Sequence, residues 1–190
     1  MADPPWSYDN AGVHGNAADE YPLMTEADIA AILDTTWDTA APDARLAVWT
    51  THPKLMEWIR AGHAGPRWRY VSGGSWAKLR QVGVGYHWRG RTEPVHLFAK
   101  GAAGRPGALL ENGHESIPGD HSEKPVEWMR QWIRAWTEPG DLVVDVFAGL
   151  APLARACLLE GRRYVGAEID RERWETALAR LAHVRSMGAA

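Results

Sequence analysis

Near the start of the chain, Asp3-Pro4-Pro5-Trp6 combines a carboxylate, two conformationally fixed residues and a large aromatic ring. Successive prolines hold φ near about −65° and carry no N–H of their own, so the Asp3 carboxylate and the Pro4 carbonyl are pre-positioned acceptors. Two acceptors at this spacing suit an aromatic exocyclic amine, which has two N–H donors and a lone pair delocalised into its ring. Hydrogen bonds drawn out of the ring plane favour a more tetrahedral nitrogen and free that lone pair to attack a methyl sulfonium. Trp6 offers a face on which a base could stack, worth about 1–3 kcal/mol by analogy with single-strand binders. Taken alone, the four residues also read as an ordinary Pro-rich turn.

A second group lies toward the other end. Leu142–Phe147 reads as a strand, and it runs through Asp145 and Phe147 into a turn at Gly149 and then an apolar helix. About twenty residues beyond Gly149, a second strand ends at Gly166-Ala167-Glu168, the arrangement of a nucleoside-binding βαβ unit whose acid receives ribose hydroxyls. Leu150-Ala151 stands where a dinucleotide fingerprint would carry further glycines, so a ligand without phosphates fits this turn better. A plain βαβ core with a surface Glu168 fits the same residues.

The elements that must position these groups follow from periodicity and turn chemistry. Thr25-Glu26-Ala27-Asp28 resembles a capping box opening a helix through Leu33. Leu46–Thr50 reads as a buried strand. A helix is predicted from Pro53 with Leu55, Met56 and Ile59 on one face. Arg69–Trp76 and Pro94–Ala99 read as strands flanking a Gly-rich segment, and residues 101–120 as a loop. Lys124–Trp136 reads as a helix with Val126, Met129, Ile133 and Trp136 in line, followed by a helix over Leu153–Leu159, a strand over Arg163–Glu168 and a last helix from Arg171. Alternating strands and helices with near-continuous apolar strands predict an α/β fold with a mostly parallel sheet and helices on both faces.

With these motifs in this order, the sequence resembles the β-class amino-methyltransferases. Within them it is similar to the adenine-N6 group that includes the catalytic subunit of the eukaryotic mRNA adenosine methyltransferase and bacterial and phage DNA-modifying enzymes. That resemblance implies a Rossmann-like methyltransferase fold in permuted order, the catalytic motif preceding the cofactor motif. It implies S-adenosylmethionine as cofactor, held by His121, Lys124, Asp145, Phe147, Gly149 and Glu168, with Asp3 near its methionine end. It places Tyr21, Trp76, Lys78, Arg89 and Glu93 on the substrate side, through the segments Tyr21-Pro22-Leu23-Met24-Thr25, Trp76-Ala77-Lys78 and Gly85-Tyr86-His87-Trp88-Arg89. His121 reads equally as a local helix cap. Trp88 and Trp128 are expected in the core. Asp3, where cytosine-N4 relatives more often carry Ser, favours adenine. Two departures stand out: only Met1 and Ala2 precede the tetrapeptide, where relatives carry a hydrophobic strand, and Ala151-Pro152 replaces a Gly-Thr or Gly-Ser pair.

Bulk properties narrow the class. The 190 residues suit one domain, with the catalytic motif in 1–53, a basic substrate-side segment in 54–120 and a cofactor-binding half in 121–190. Residues 1–53 hold nine acids against one base, a net −8, and residues 54–105 ten bases against two acids, a net +8. Phosphate neutralisation needs such a basic block, and solvated charge scattered over several faces is the alternative. The expected partner is nucleic acid, DNA before RNA, with a homo- or heterodimer allowed, no membrane and no metal. The expected compartment is the cytoplasm of a prokaryotic or phage-infected cell. The one cysteine, Cys157, lies in an apolar stretch and reads as a structural thiol. Rival readings are a cytosine-N4 or RNA adenosine-N6 enzyme, a small-molecule methyltransferase, and a non-catalytic nucleic-acid-binding subunit.

Overall fold

Thr25 opens the first helix by the predicted device: its hydroxyl accepts from the Asp28 N–H at 3.2 Å and donates to the Asp28 carboxylate at 2.7 Å. In the computed structural model, which describes residues 1–7, 22–78, 90–102 and 123–188, this helix, α1, spans Glu26–Thr39. It runs past the predicted end at Leu33. Thr35 and Thr36 are weak helix formers, yet both lie within the helix, with their hydroxyls bonded back to the Ile32 and Leu33 carbonyls at 2.6 Å. The C-terminal carbonyls of Trp37 and Ala40 then accept from Lys100 Nζ at 2.6 and 2.8 Å, a cation at the negative end of the helix.

The chain divides into two compact units, one of Asp3–Gly74 with Glu93–Gly104, the other of Met1–Ala2, Ser75–Thr92 and Arg105–Ala190. The first contains α1 and β1 (Arg45–Trp49), whose Leu46, Ala47, Val48 and Trp49 are all buried. A 3-10 turn at His52–Lys54 leads into α2 (Leu55–Arg60). The predicted inner face of α2 is wrong. Trp58 is fully buried while Met56 and Ile59 are exposed, because the indole has the largest apolar area to remove from water and sets the helix rotation. Strands β2 (Arg69–Ala77) and β3 (Thr92–Ala99) complete a three-stranded sheet in the order β1-β3-β2. β1 and β3 pair antiparallel, with Arg45 opposite Ala99 and Trp49 opposite Val95.

In the second unit, Pro125 occupies the N-cap of α3 (Val126–Trp136), so the helix starts two residues later than the predicted Lys124. Trp128, Met129, Trp132 and Ile133 form its buried face, and the Trp128 and Trp132 rings meet edge to face at 4.7 Å. β4 (Leu142–Asp145), α4 (Pro152–Leu159) and β5 (Arg163–Gly166) form the predicted βαβ unit, with β4 and β5 parallel and Asp145 opposite Gly166. α5 (Arg171–Gly188) packs Ala177 and Leu181 onto Ala151, Ala154 and Tyr164. Among the described strands, the expectation of a mostly parallel sheet therefore holds for β4–β5 and fails for β1–β3. Apolar runs report burial on both faces, which β1 has, and carry no information on strand direction.

Candidate active-site elements

The tetrapeptide is a fixed turn. The Trp6 N–H donates to the Pro4 carbonyl at 3.0 Å, the Met24 N–H to the Pro5 carbonyl at 2.8 Å, and the Ser7 N–H to the Met24 carbonyl at 3.1 Å. Trp6 is 5% exposed, its Nε1 donates to the Trp49 carbonyl at 3.2 Å, and its ring meets Trp58 edge to face at 5.2 Å. The indole is thus packed into the unit that carries β1, not presented as the open stacking face that the sequence suggested. Pro4 is buried, and Asp3 and Pro5 are partly exposed. Within the other unit, the Met1 nitrogen donates to the Val144 carbonyl of β4 at 2.8 Å and Ala2 is fully buried, so the residues just before Asp3 lie alongside β4.

The turn after β4 is built from the residues singled out by sequence. Asp145 is 3% exposed and accepts from the Phe147 N–H at 3.4 Å and from the Tyr164 hydroxyl at 3.3 Å. Burial, and then the Asp145 charge, push the Tyr164 phenol well above its ordinary range, so it stays a neutral donor. Gly149 has φ of +54°, and the space its Cβ would fill is open. Its N–H donates to Glu168 Oε2 at 2.6 Å, while Glu168 Oε1 accepts from the Asp170 N–H at 2.9 Å. Ala151 also adopts the left-handed region, at φ +56°, a conformation that costs an L-residue about 1–2 kcal/mol. Asp145, Phe147, Gly149 and Glu168 therefore meet around one turn. Cys157 of α4 is fully buried, and burial pushes its thiol up to about 12, leaving no thiolate near neutral pH.

The remaining predicted residues are more dispersed. Lys124 is 7% exposed, immediately before α3. Trp76 is 1% exposed at the end of β2, with Lys78 Nζ 5.0 Å from its ring centroid, and Glu93 lies at the start of β3. Tyr21, Arg89 and His121, like Trp88, lie outside the described residues. Two constellations were not anticipated. Tyr164 lies two residues before Gly166 on the same face of β5, and its hydroxyl occupies the space a Cβ there would need. That i, i+2 pairing was available in the sequence. The second is an aromatic box of His63, Tyr70, His96 and Phe98, joined across distant segments that no local pattern connects.

Three bases of the middle segment are engaged within the fold. Lys54 pairs with Glu26 at 2.9 Å and Glu57 at 3.1 Å, Arg67 with Asp34 at 2.9 Å and Asp38 at 2.6 Å, and Lys100 with the end of α1. Among the described residues, no helix is long and apolar enough to cross a membrane.

Known proteins are similar to this chain. The YubD protein of Escherichia coli K12 is 34% identical over 109 residues, covering 54% of this chain and 45% of YubD. The type II methyltransferase M.HhaII of Haemophilus parahaemolyticus is 26% identical over 175 residues, covering 86% of this chain and 75% of that enzyme. The crystal structure of the M1.HpyAVI–SAM complex superposes with a TM-score of 0.68 at 18% identity, over 95% of this chain and 86% of that one. The cytosine-N4-specific PvuII DNA methyltransferase superposes with a TM-score of 0.66 at 15% identity, over 97% of this chain and 82% of that one. At these identities the superpositions establish the fold, that of a DNA methyltransferase. The family whose members are described as DNA methylases matches residues 68–179, a span holding β4, the Gly149 turn, α4, β5 and Glu168, and this chain belongs to that N6/N4 methyltransferase family.

Proposed function

We propose that the protein transfers the methyl group of S-adenosylmethionine to the exocyclic N6 amine of adenine in DNA. The observation that carries this reading is the rigid Asp3–Trp6 turn. Its backbone bonds fix the Pro4 carbonyl while using one of its two lone pairs, so the second can accept an amine N–H. The partly exposed Asp3 carboxylate accepts the other. Trp6 acts from within the core by anchoring the turn to Trp49. The turn after β4 suits the cofactor: it is open over Gly149, has no glycine-rich phosphate cradle, and carries the Glu168 carboxylate, to which we assign the ribose hydroxyls. S-adenosylmethionine supplies an electrophilic methyl group. Asp145, held by Tyr164, shapes the turn, and Lys124 and Phe147 are assigned to the same site.

Asp at position 3 supports adenine over cytosine. The cytosine-N4 reading is the second one, favoured by the PvuII likeness alone. Total digestion of duplex DNA incubated with the protein and cofactor, followed by nucleoside mass spectrometry, is expected to yield N6-methyladenine. N4-methylcytosine would move the assignment to the other base, and no methylated nucleoside from DNA would refute it.

A further inference from the structure

In the unit that carries β4 and β5, an open cleft of about 570 Å³ is lined, among the described residues, by Glu123, Arg155, Ala179, Arg180, His183 and Val184. None of these belongs to the Gly149 turn. Arg155 of α4 and Arg180 of α5 each place Nη1 2.9 Å from a different oxygen of the Glu123 carboxylate. Glu123 is 8% exposed, whereas the two arginine side chains keep 32% and 39% of their surface. A guanidinium has five N–H donors. Each of these two spends one on Glu123 and has no other partner among the described residues.

Three features together describe an oxyanion site. The two guanidiniums are spaced to grip a single oxyanion, because they already grip one, one oxygen each. Both side chains line a cleft large enough for a ligand and keep unused donors, and His183, one turn beyond Ala179, also lines it. Among the described lining residues, two arginines against one carboxylate give a net charge of +1, and that carboxylate is nearly buried. Arginine's planar fork also matches phosphate oxygens better than a point charge does.

We infer that this cleft binds a phosphate group through Arg155 and Arg180, the phosphate being one of the backbone of the nucleic-acid substrate. The choice of source rests on the function proposed above; the phosphate chemistry does not.

Binding of a fluorescein-labelled duplex, followed by anisotropy across a salt titration of the intact protein, tests the source. Inorganic phosphate, read by its effect on the thermal midpoint, tests the chemistry. Arg155→Gln and Arg180→Gln are each expected to weaken duplex binding about three- to tenfold and to lower the salt slope by about 0.9, one phosphate contact. Arg180→Lys keeps the charge and should keep the slope, which separates a lost contact from a damaged fold. Glu123→Gln frees donors from the built-in carboxylate and should tighten binding several-fold, whereas a purely structural triad predicts only a lower melting temperature. If phosphate raises the midpoint of the wild type but not of Arg180→Gln while duplex binding is unmoved, the occupant is a free phosphate ester and the backbone assignment falls. If neither probe distinguishes the glutamine variants from wild type, the site is refuted. Methylated base formed with unchanged slopes would sink this inference alone; shifted slopes without methylated base would sink the transfer reading alone.

Discussion

Removing the Asp3 carboxylate deletes one of the two acceptors proposed for the amine and keeps the backbone bonds from Trp6 and Met24 to the Pro4 and Pro5 carbonyls. Asp3→Ala is therefore expected to lower kcat/KM about 100- to 1000-fold, the cost of losing one aligned polar group in an active site. Its melting curve should match that of the wild type; a collapsed midpoint would mean that Asp3 holds the turn together. Glu168 makes the opposite kind of claim. Both its oxygens already brace backbone N–H groups of Gly149 and Asp170, so it shapes the turn as well as offering spare lone pairs. Glu168→Ala should raise the KM for S-adenosylmethionine about 10- to 100-fold, the range for a lost charged hydrogen bond, with a smaller effect on kcat. Glu168→Gln retains an acceptor and should fall between the two. A fall in kcat with KM unchanged would contradict a cofactor role.

At the level of elements, the βαβ unit was the most legible part, because its strands are short apolar runs bracketed by a glycine turn and an acid. The α1 end and the α2 face were not. Threonine hydroxyls bonding to carbonyls three residues earlier are local chemistry that an apolar period does not register, and Trp58 outcompeting two smaller side chains for burial is a tertiary outcome. Trp6 shows the same limit within the site: its type suggested a stacking face, and only its bond to Trp49 reveals an anchor. The aromatic box behind β3 yields a pH prediction. His96 is buried with Nδ1 lacking a hydrogen-bond partner among the described residues, and its ring centroid lies 5.7 Å from that of His63. Burial holds both imidazoles below their ordinary pKa of 6.5, and for His96 the neighbouring His63 adds to the effect. Over that interval the unfolded chain binds more protons than the folded one, so stability is full above about 6.5, falls as pH drops below it, and levels off once the folded-state values are passed. His96→Phe, which removes both the titration and an orphaned polar atom worth about 1–3 kcal/mol, should flatten melting temperature against pH between 7 and 5. An unchanged slope would show that these histidines are solvated in the folded state.

Across the whole molecule, the sequence carries an acidic first block and a basic second block whose net charges are −8 and +8. Read along the chain, the basic block suits either a phosphate-binding surface or solvated charge spread over several faces. The fold instead brings parts of the two blocks together: Arg67 grips Asp34 with both Nε and Nη2 and reaches Asp38 with Nη1, and Lys54 bridges Glu26 and Glu57. A guanidinium whose donors are taken up by carboxylates and a backbone carbonyl has little left to give a nucleic acid, and releasing it would leave those acids uncompensated. Arg67→Gln is therefore expected to lower the melting temperature, more at low ionic strength than at high, since salt screens partly exposed pairs. Its slope of duplex affinity against salt should remain that of the wild type. The comparison with Arg180→Gln is direct, because both substitutions remove one positive charge and the same long-range field. Long-range attraction alone predicts similar losses of affinity from the two; local phosphate contact predicts a loss only where the donors are unused. A reduced slope for Arg67→Gln would return the basic block to the nucleic-acid surface and make its pairing with Asp34 a resting state that the substrate displaces.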